Sequence, residues 1–233
     1  MNFCIKPIDA KIHVDTKRSR DSIVCMKDVA ARFCDSLKSI AYISAGYPLR
    51  TAVDSLPAGD VAVIQMGNVN PDTGVDWETA KRVALPSKRS ANFLASGDVI
   101  FTTRGTRNFA LALGQVPGSV VCSPHFFIMR VHDTSRMSPE FLAWQLNQRP
   151  AQEYFRREAT GSYILNLRRD VIENLSVGLP PLERQHAIMA LADAVRAERA
   201  TLTKLIENRN NQMEAIALDV HRPNQNPFER PQT

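Results

Sequence analysis

Thr102, Thr103, Arg104, Arg107 and Asn108 fall within the stretch TTRGTRN. Guanidinium groups suit phosphate oxygens, and the forked donors of Arg and the amide of Asn match the major-groove edges of guanine and adenine. Gly105, between them, lets a backbone come close to a phosphate. A solvated polar turn accounts for any one of these residues equally well. The stretch AKRVALPSKRS supplies a second basic cluster, Lys81, Arg82, Lys88 and Arg89; the alternative is a charged edge of the kind sheets carry against aggregation. GSYILNLRRD supplies a third, with Ser162, Tyr163, Arg168 and Arg169; its arginines would also fit the first turn of a short helix. Gln65, Asn68 and Asn70 in QMGNVN could read base edges, but the density of turn formers around them favours ordinary turn chemistry. These groups together suit a polyanion. The net charge of +5 and the isoelectric point near 9.2 permit such a ligand without requiring one.

Catalytic patterns do not accompany them. The chain has no G-x-x-x-x-G-K-[ST] and no H-E-x-x-H, and no N-P-P-Y or D-P-P-Y of the kind that holds a flipped adenine. In PDTGVDWETAK, Asp72, Glu78 and Lys81 resemble a nuclease carboxylate set. The E-x-x-K spacing, however, puts Glu78 and Lys81 on opposite faces of a strand, where metal-dependent nuclease chemistry needs them on one face. His125, His132 and His186 stand without partner patterns and read as structural or surface residues. Cys4, Cys25, Cys34 and Cys122 form no C-x-x-C pair and have no histidine at zinc spacing, which predicts reduced thiols in a cytoplasmic protein. No signal-peptide core and no run of ~18 apolar residues is present, so neither secretion nor a membrane span is expected.

The elements that must position the polar clusters are short. Residues 1–26 read as a polar, basic N-terminal extension. In MKDVAARFCDSLKSI, Val29, Phe33, Leu37 and Ile40 share one helical face behind an Asp28 cap, which predicts a helix. VAVIQM, GDVIFTT, FALAL, SVVCS and FFIMRV then read as a series of strands separated by turns. Strands in series before any long helix predict an α+β fold with a mainly antiparallel or mixed sheet and short helices. MSPEFLAWQLN is a helix with Ser138 as cap, Pro139 at the first position and Glu140 at the positive end. Pro150 punctuates it, and a second helix follows in AQEYFRREAT. GSYILNLRRDVIENLSVGLPP reads as turn, extended piece, short helix and strand.

After Pro181 the rhythm changes. Leu182, Ile188, Leu191, Val195, Leu202, Leu205 and Ile216 follow a heptad-like seam, broken by Glu198, Arg209 and Gln212. A helix over 182–218 would be roughly 55 Å long at 1.5 Å per residue, with an outer part that has nothing in its own chain to pack on. Pro180 favours an extended approach to it, and Pro181 fits its first turn. The polar, Pro-rich residues 220–233 read as a disordered tail.

The stretches GYPLR, GDVAVIQMGNV and GVDW, then LASGDVIFTTRGT, then ATGSYILNLRRDVIENLSVGLPPLERQ, resemble in this order the specificity subunit of type I restriction-modification enzymes. The resemblance runs from about Lys27 to Leu218. It implies a target recognition domain over 27–180 and a conserved spacer helix over 181–219 that forms an intermolecular coiled coil. Members of usual size carry two of each, and this chain has room for one of each, so it resembles a half-length form. By resemblance it is not an enzyme and binds no cofactor. S-adenosylmethionine is expected on a partner adenine methyltransferase, alongside double-stranded DNA, and the resemblance leaves open a restriction-translocase subunit as a further partner. The three basic clusters become candidate DNA contacts. Ile188, Leu191, Val195, Leu202, Leu205 and Ile216 become the surface through which two copies join to read a split, inverted target. A half-subunit that occupies a methyltransferase without reading DNA is the alternative, and a nuclease is a third.

Overall fold

The computed structural model describes residues 34–49, 52–53, 57–87, 91–105, 108–159 and 165–221. Thirteen strands follow one another among the described residues. Cys34–Ser36 (β1) pairs antiparallel with Ser176–Gly178 (β13), which ties the first described strand to the last. Leu37–Ile40 (α1) follows, and the Leu37 N–H donates to the Leu175 carbonyl at 2.8 Å. This corrects the helix expected across the segment. Over its described part, Cys34–Ser36 is a strand because its backbone pairs with β13, and Leu37–Ile40 is helical. Leu37 and Ile40 are nonetheless both buried, as their spacing predicted, while Val29 and Phe33 lie outside the described residues.

A four-stranded antiparallel sheet forms the middle of the unit. It runs in the order Ala41–Ala45 (β2), Phe126–Val131 (β11), Val99–Thr102 (β7) and Ala110–Ala112 (β9). A second sheet places Ala58–Ile64 (β3) between Val120–Cys122 (β10), which is parallel to it, and Lys81–Val83 (β6), which is antiparallel. Alternation along β3 buries both faces: Ala62 and Ile64 join one apolar cluster with Ile100, Phe126 and Ile128, whereas Val61 and Val63 join another with Tyr47, Val83 and Val121. The remaining pairs are Val69–Asn70 (β4) with Gly74–Val75 (β5), and Arg104–Gly105 (β8) with Leu165–Asn166 (β12). At Gly46 an added Cβ would overlap the Ser123 carbonyl, so the backbones meet there without room for any side chain.

Helices cover the other face of the four-stranded sheet. Pro139–Asn147 (α2) starts as its sequence predicts, with the Phe141 N–H donating to the Ser138 hydroxyl at 3.1 Å. Arg149–Glu158 (α3) follows after an extended Gln148, and Pro150 sits in its first turn rather than ending the helix before it. Phe101 of β7 meets Phe155 of α3 with ring centroids 5.0 Å apart. Arg169–Glu173 (α4) is anchored to α3 by the Tyr154 hydroxyl, which donates to the Val171 carbonyl at 3.0 Å.

The chain divides into two compact units between Leu182 and Glu183. Leu182–Val220 (α5) is one unbroken helix of 39 residues, about 58 Å long. Leu191, Val195, Leu202, Leu205 and Ile216 are all exposed along it, and Ile188 is half-buried. Among the described residues, no helix is long and apolar enough to cross a membrane.

Candidate nucleic-acid interface

The loop that joins β7 to β9 carries the TTRGTRN stretch. Its base is fastened by its own side chains. The Thr102 hydroxyl accepts from the Phe109 N–H at 2.8 Å, and the Asn108 amide donates to the Thr102 carbonyl at 2.7 Å. Thr103 donates both its N–H and its hydroxyl to the His125 carbonyl, at 2.8 and 3.0 Å. Thr103 and Asn108, expected among the DNA contacts, are buried here and hydrogen-bonded to the framework. Short polar side chains serve a loop base as readily as a base edge, and the sequence alone does not separate the two uses.

Beyond this clamp the chain extends as β8. Its partner is β12, with Asn166 opposite Arg104 and Leu165 opposite Gly105. The Leu167 N–H adds a bond to the Thr103 carbonyl at 3.2 Å. Two of the three polar clusters, some sixty residues apart in the chain, are thus laced together at the end of the sheet where β7 finishes and β11 begins. Arg104 is exposed there, and its guanidinium has no ion-pair partner among the described residues.

Arg168 caps α4 and pairs with Asp170 at 2.7 Å, with both side chains more than half exposed. Such a pair adds little to stability and can exchange Asp170 for a phosphate. Arg169 pairs with Glu173 one turn on, at 2.6 Å. Lys81 and Arg82 lie on β6, in the other sheet, and Arg82 donates to the Asp60 carbonyl at 2.6 Å. Arg107, Lys88, Arg89, Ser162 and Tyr163 lie outside the described residues.

The remaining polar groups shape turns. Asn68 accepts from the Gln65 N–H at 2.9 Å and donates to Thr79, while Asn70 accepts from the Asp72 and Thr73 N–H groups. Asp76 accepts from the N–H groups of Glu78 and Thr79. Asp72, Glu78 and Lys81 belong respectively to a turn, a bend and a strand, and no cluster of His, Cys, Asp or Glu able to hold a metal occurs among the described residues. Burial pushes the Cys122 thiol up to about 12, which makes it a core side chain and not a nucleophile.

Sequence reasoning missed three polar fastenings. Asp98 is buried and meets Arg130 through two bonds of 2.7 Å, and it also accepts from the Ala95 N–H at 2.8 Å. Asn147, at the end of α2, pairs both ways with the backbone of Ala110 on edge strand β9, at 2.9 and 2.8 Å. Gln145 does the same to Gly178 on β13, at 2.9 and 2.7 Å. A carboxylate beside the turn glycine in SGDVIF and two amides on a helix facing strand edges were the available signals.

A sequence-family model described as the type I restriction modification DNA specificity domain matches residues 35–214. The chain belongs to that family. The fold agrees with it at low identity. An HsdS subunit from Thermoanaerobacter tengcongensis superposes with a TM-score of 0.57 at 19% identity, over 78% of this chain and 46% of that one. A chain from a study of complex assembly and conformational transition of the type I R-M system gives 0.56 at 15% identity, over 86% and 50%. An S subunit of a type I restriction-modification system from M. genitalium gives 0.48 at 16%, over 76% and 42%. This chain therefore spans half or less of the length of these structures. Comparison with curated proteins gives no match. The expected α+β class stands, and family membership makes the chain a non-catalytic specificity component. Within this specificity domain the β8–β12 ladder carries the exposed Arg104 beside a fastened loop base.

Proposed function

We propose that this specificity domain reads one half of a DNA target, pairs with a second copy through α5, and recruits an adenine methyltransferase. In that assembly S-adenosylmethionine belongs to the methyltransferase, and a restriction subunit can join it. The observation that carries the reading is the convergence of the TTRG and LNL segments on one ladder, with Arg104 exposed, and without an ion-pair partner among the described residues, beside a clamped loop base. A cation carried on a hydrogen-bonded backbone suits a phosphate or a guanine edge, because little backbone order at its own position remains to be lost on binding. Family membership supports the DNA partner, and the exposed apolar stripe of α5 supports the second copy. With one recognition unit per chain, a two-fold pair would read two identical half-sites in inverted orientation.

The test is DNA binding by the purified chain with its methyltransferase across a salt series. Affinity should fall steeply as salt rises, because each phosphate contact releases a counterion. Arg104→Ala should weaken binding and, if Arg104 sits on a phosphate, lower the log–log salt slope by about 1. If Arg104 sits on a guanine, selectivity at one base pair should relax instead. Binding that ignores both salt and this substitution would remove the reading and leave a subunit that occupies a methyltransferase without reading DNA.

A further inference from the structure

We infer that the recognition unit carries a protein-docking patch of its own, built from Tyr42, Arg130 and Phe93, and that the methyltransferase subunit covers it with apolar side chains around a carbonyl or amide oxygen. This rests on the recruitment proposed above and places one contact of it on the four-stranded sheet. Tyr42 is 58% exposed on β2, the outer strand of that sheet. Arg130 stands directly opposite on β11, so both side chains leave the same face. Two residues along that face, the opposed Ser44 and Ile128 are buried, so the cover over the sheet ends between the two rows. Phe93 is 36% exposed, and its carbonyl accepts from Arg130 Nη2 at 3.4 Å. A lone exposed tyrosine on a strand is ordinary. Here the fold sets two exposed aromatic residues beside one arginine, and neither ring stacks on another ring among the described residues.

The charge of the patch selects the class of partner. Arg130 donates from Nε and Nη2 to the two oxygens of Asp98, at 2.7 Å each, so its positive charge is already matched. A phosphate would have to take the guanidinium from a buried carboxylate that needs it, which disfavours DNA. What remains is hydrogen-bonding capacity. The N–H groups on Arg130 Nη1 have no partner among the described residues, although the side chain is 55% exposed. A neutral oxygen satisfies them without disturbing the ion pair. Asp98 also fixes the guanidinium in place, so little rotamer freedom is lost when a partner seats on it. Tyrosine and arginine beside apolar surface are the residue types through which protein interfaces gain most of their affinity. The patch is separate from Arg104. Arg130 lies four residues along β11 from Phe126, which faces Thr102 next to the ladder, a distance of about 13 Å at 3.3 Å per residue.

The test measures the affinity of the full-length chain for its methyltransferase by titration calorimetry without DNA, on variants whose urea midpoints match the original chain. Tyr42→Ala should weaken binding roughly tenfold and Phe93→Ala roughly threefold. Tyr42→Phe keeps the ring and should stay within about twofold of the original. An affinity that neither alanine variant changes would overturn the patch while leaving recruitment in place. A chain that does not bind the methyltransferase at all would overturn both. At saturating methyltransferase, both alanine variants should keep the DNA affinity and its salt slope. A lowered slope would assign the patch to a phosphate and overturn the protein partner. Self-association that weakens with Tyr42→Ala in sedimentation equilibrium would assign the patch to a second copy, and would overturn the methyltransferase as its occupant.

Discussion

Asp98 has almost no access to water, yet its carboxylate is fully used: both oxygens meet Arg130, and one also takes the Ala95 N–H. The pair ties the turn before β7 to the C-terminal end of β11, and the nearby carboxylate in turn raises the Arg130 pKa through its hydrogen bonds. Arg130→Ala should leave a buried anion with one amide, and cost about 2 to 3 kcal/mol. Urea denaturation of the full chain measures this, and a change below about 0.5 kcal/mol would show that the Ala95 amide suffices. At this scale the sequence revealed residue types better than their directions. Arg104, Thr103 and Asn108 look equivalent as letters in one polar stretch. The fold sends the first outward and the other two inward, because the loop base has carbonyls at Thr102 and His125 that need donors. The demand at His125 arises just before β11, some twenty residues from Thr103, and no local pattern records it.

At the scale of elements, α2 was legible almost residue by residue, since its cap, its first-turn proline and its apolar spacing are all local signals. The segment before α1 was not. Its spacing fits a helix, but pairing with β13, about 140 residues on, wins the backbone of Cys34–Ser36 for a strand. Helix α2 also does something its apolar pattern does not predict. Through Asn147 and Gln145 it presents side-chain amides that imitate a neighbouring strand to β9 and β13. β9 is the outer strand of its sheet, so Asn147 satisfies backbone groups that would otherwise face a helix without partners. Asn147→Ala should destabilise the chain by about 1 to 3 kcal/mol. In hydrogen exchange the Ala110 amide should lose protection ahead of its neighbours in β7; equal protection in both proteins would show that water replaces the amide without loss.

For the whole molecule, the division between Leu182 and Glu183 leaves each unit to be judged by itself. The first has its own clusters of buried side chains, while the second is a single helix with a long exposed apolar stripe. A chain ending at Leu182 should keep a cooperative thermal transition and sediment as a monomer, whereas the full chain should associate. A shortened chain that remains dimeric would place the interface elsewhere. The order of strands and helices and the late change of rhythm were readable in advance, since each depends on neighbours in sequence. The meeting of β8 with β12 was not, because only the closed fold brings residues 104–105 to residues 165–166. That ladder is made of main-chain bonds, which any residue but proline can supply. Side chains along it can be replaced without moving the strands that carry them. The surface on this ladder can thus change by point substitutions in two short segments, while the clamps at Thr102, Thr103 and Asn108 hold the scaffold still.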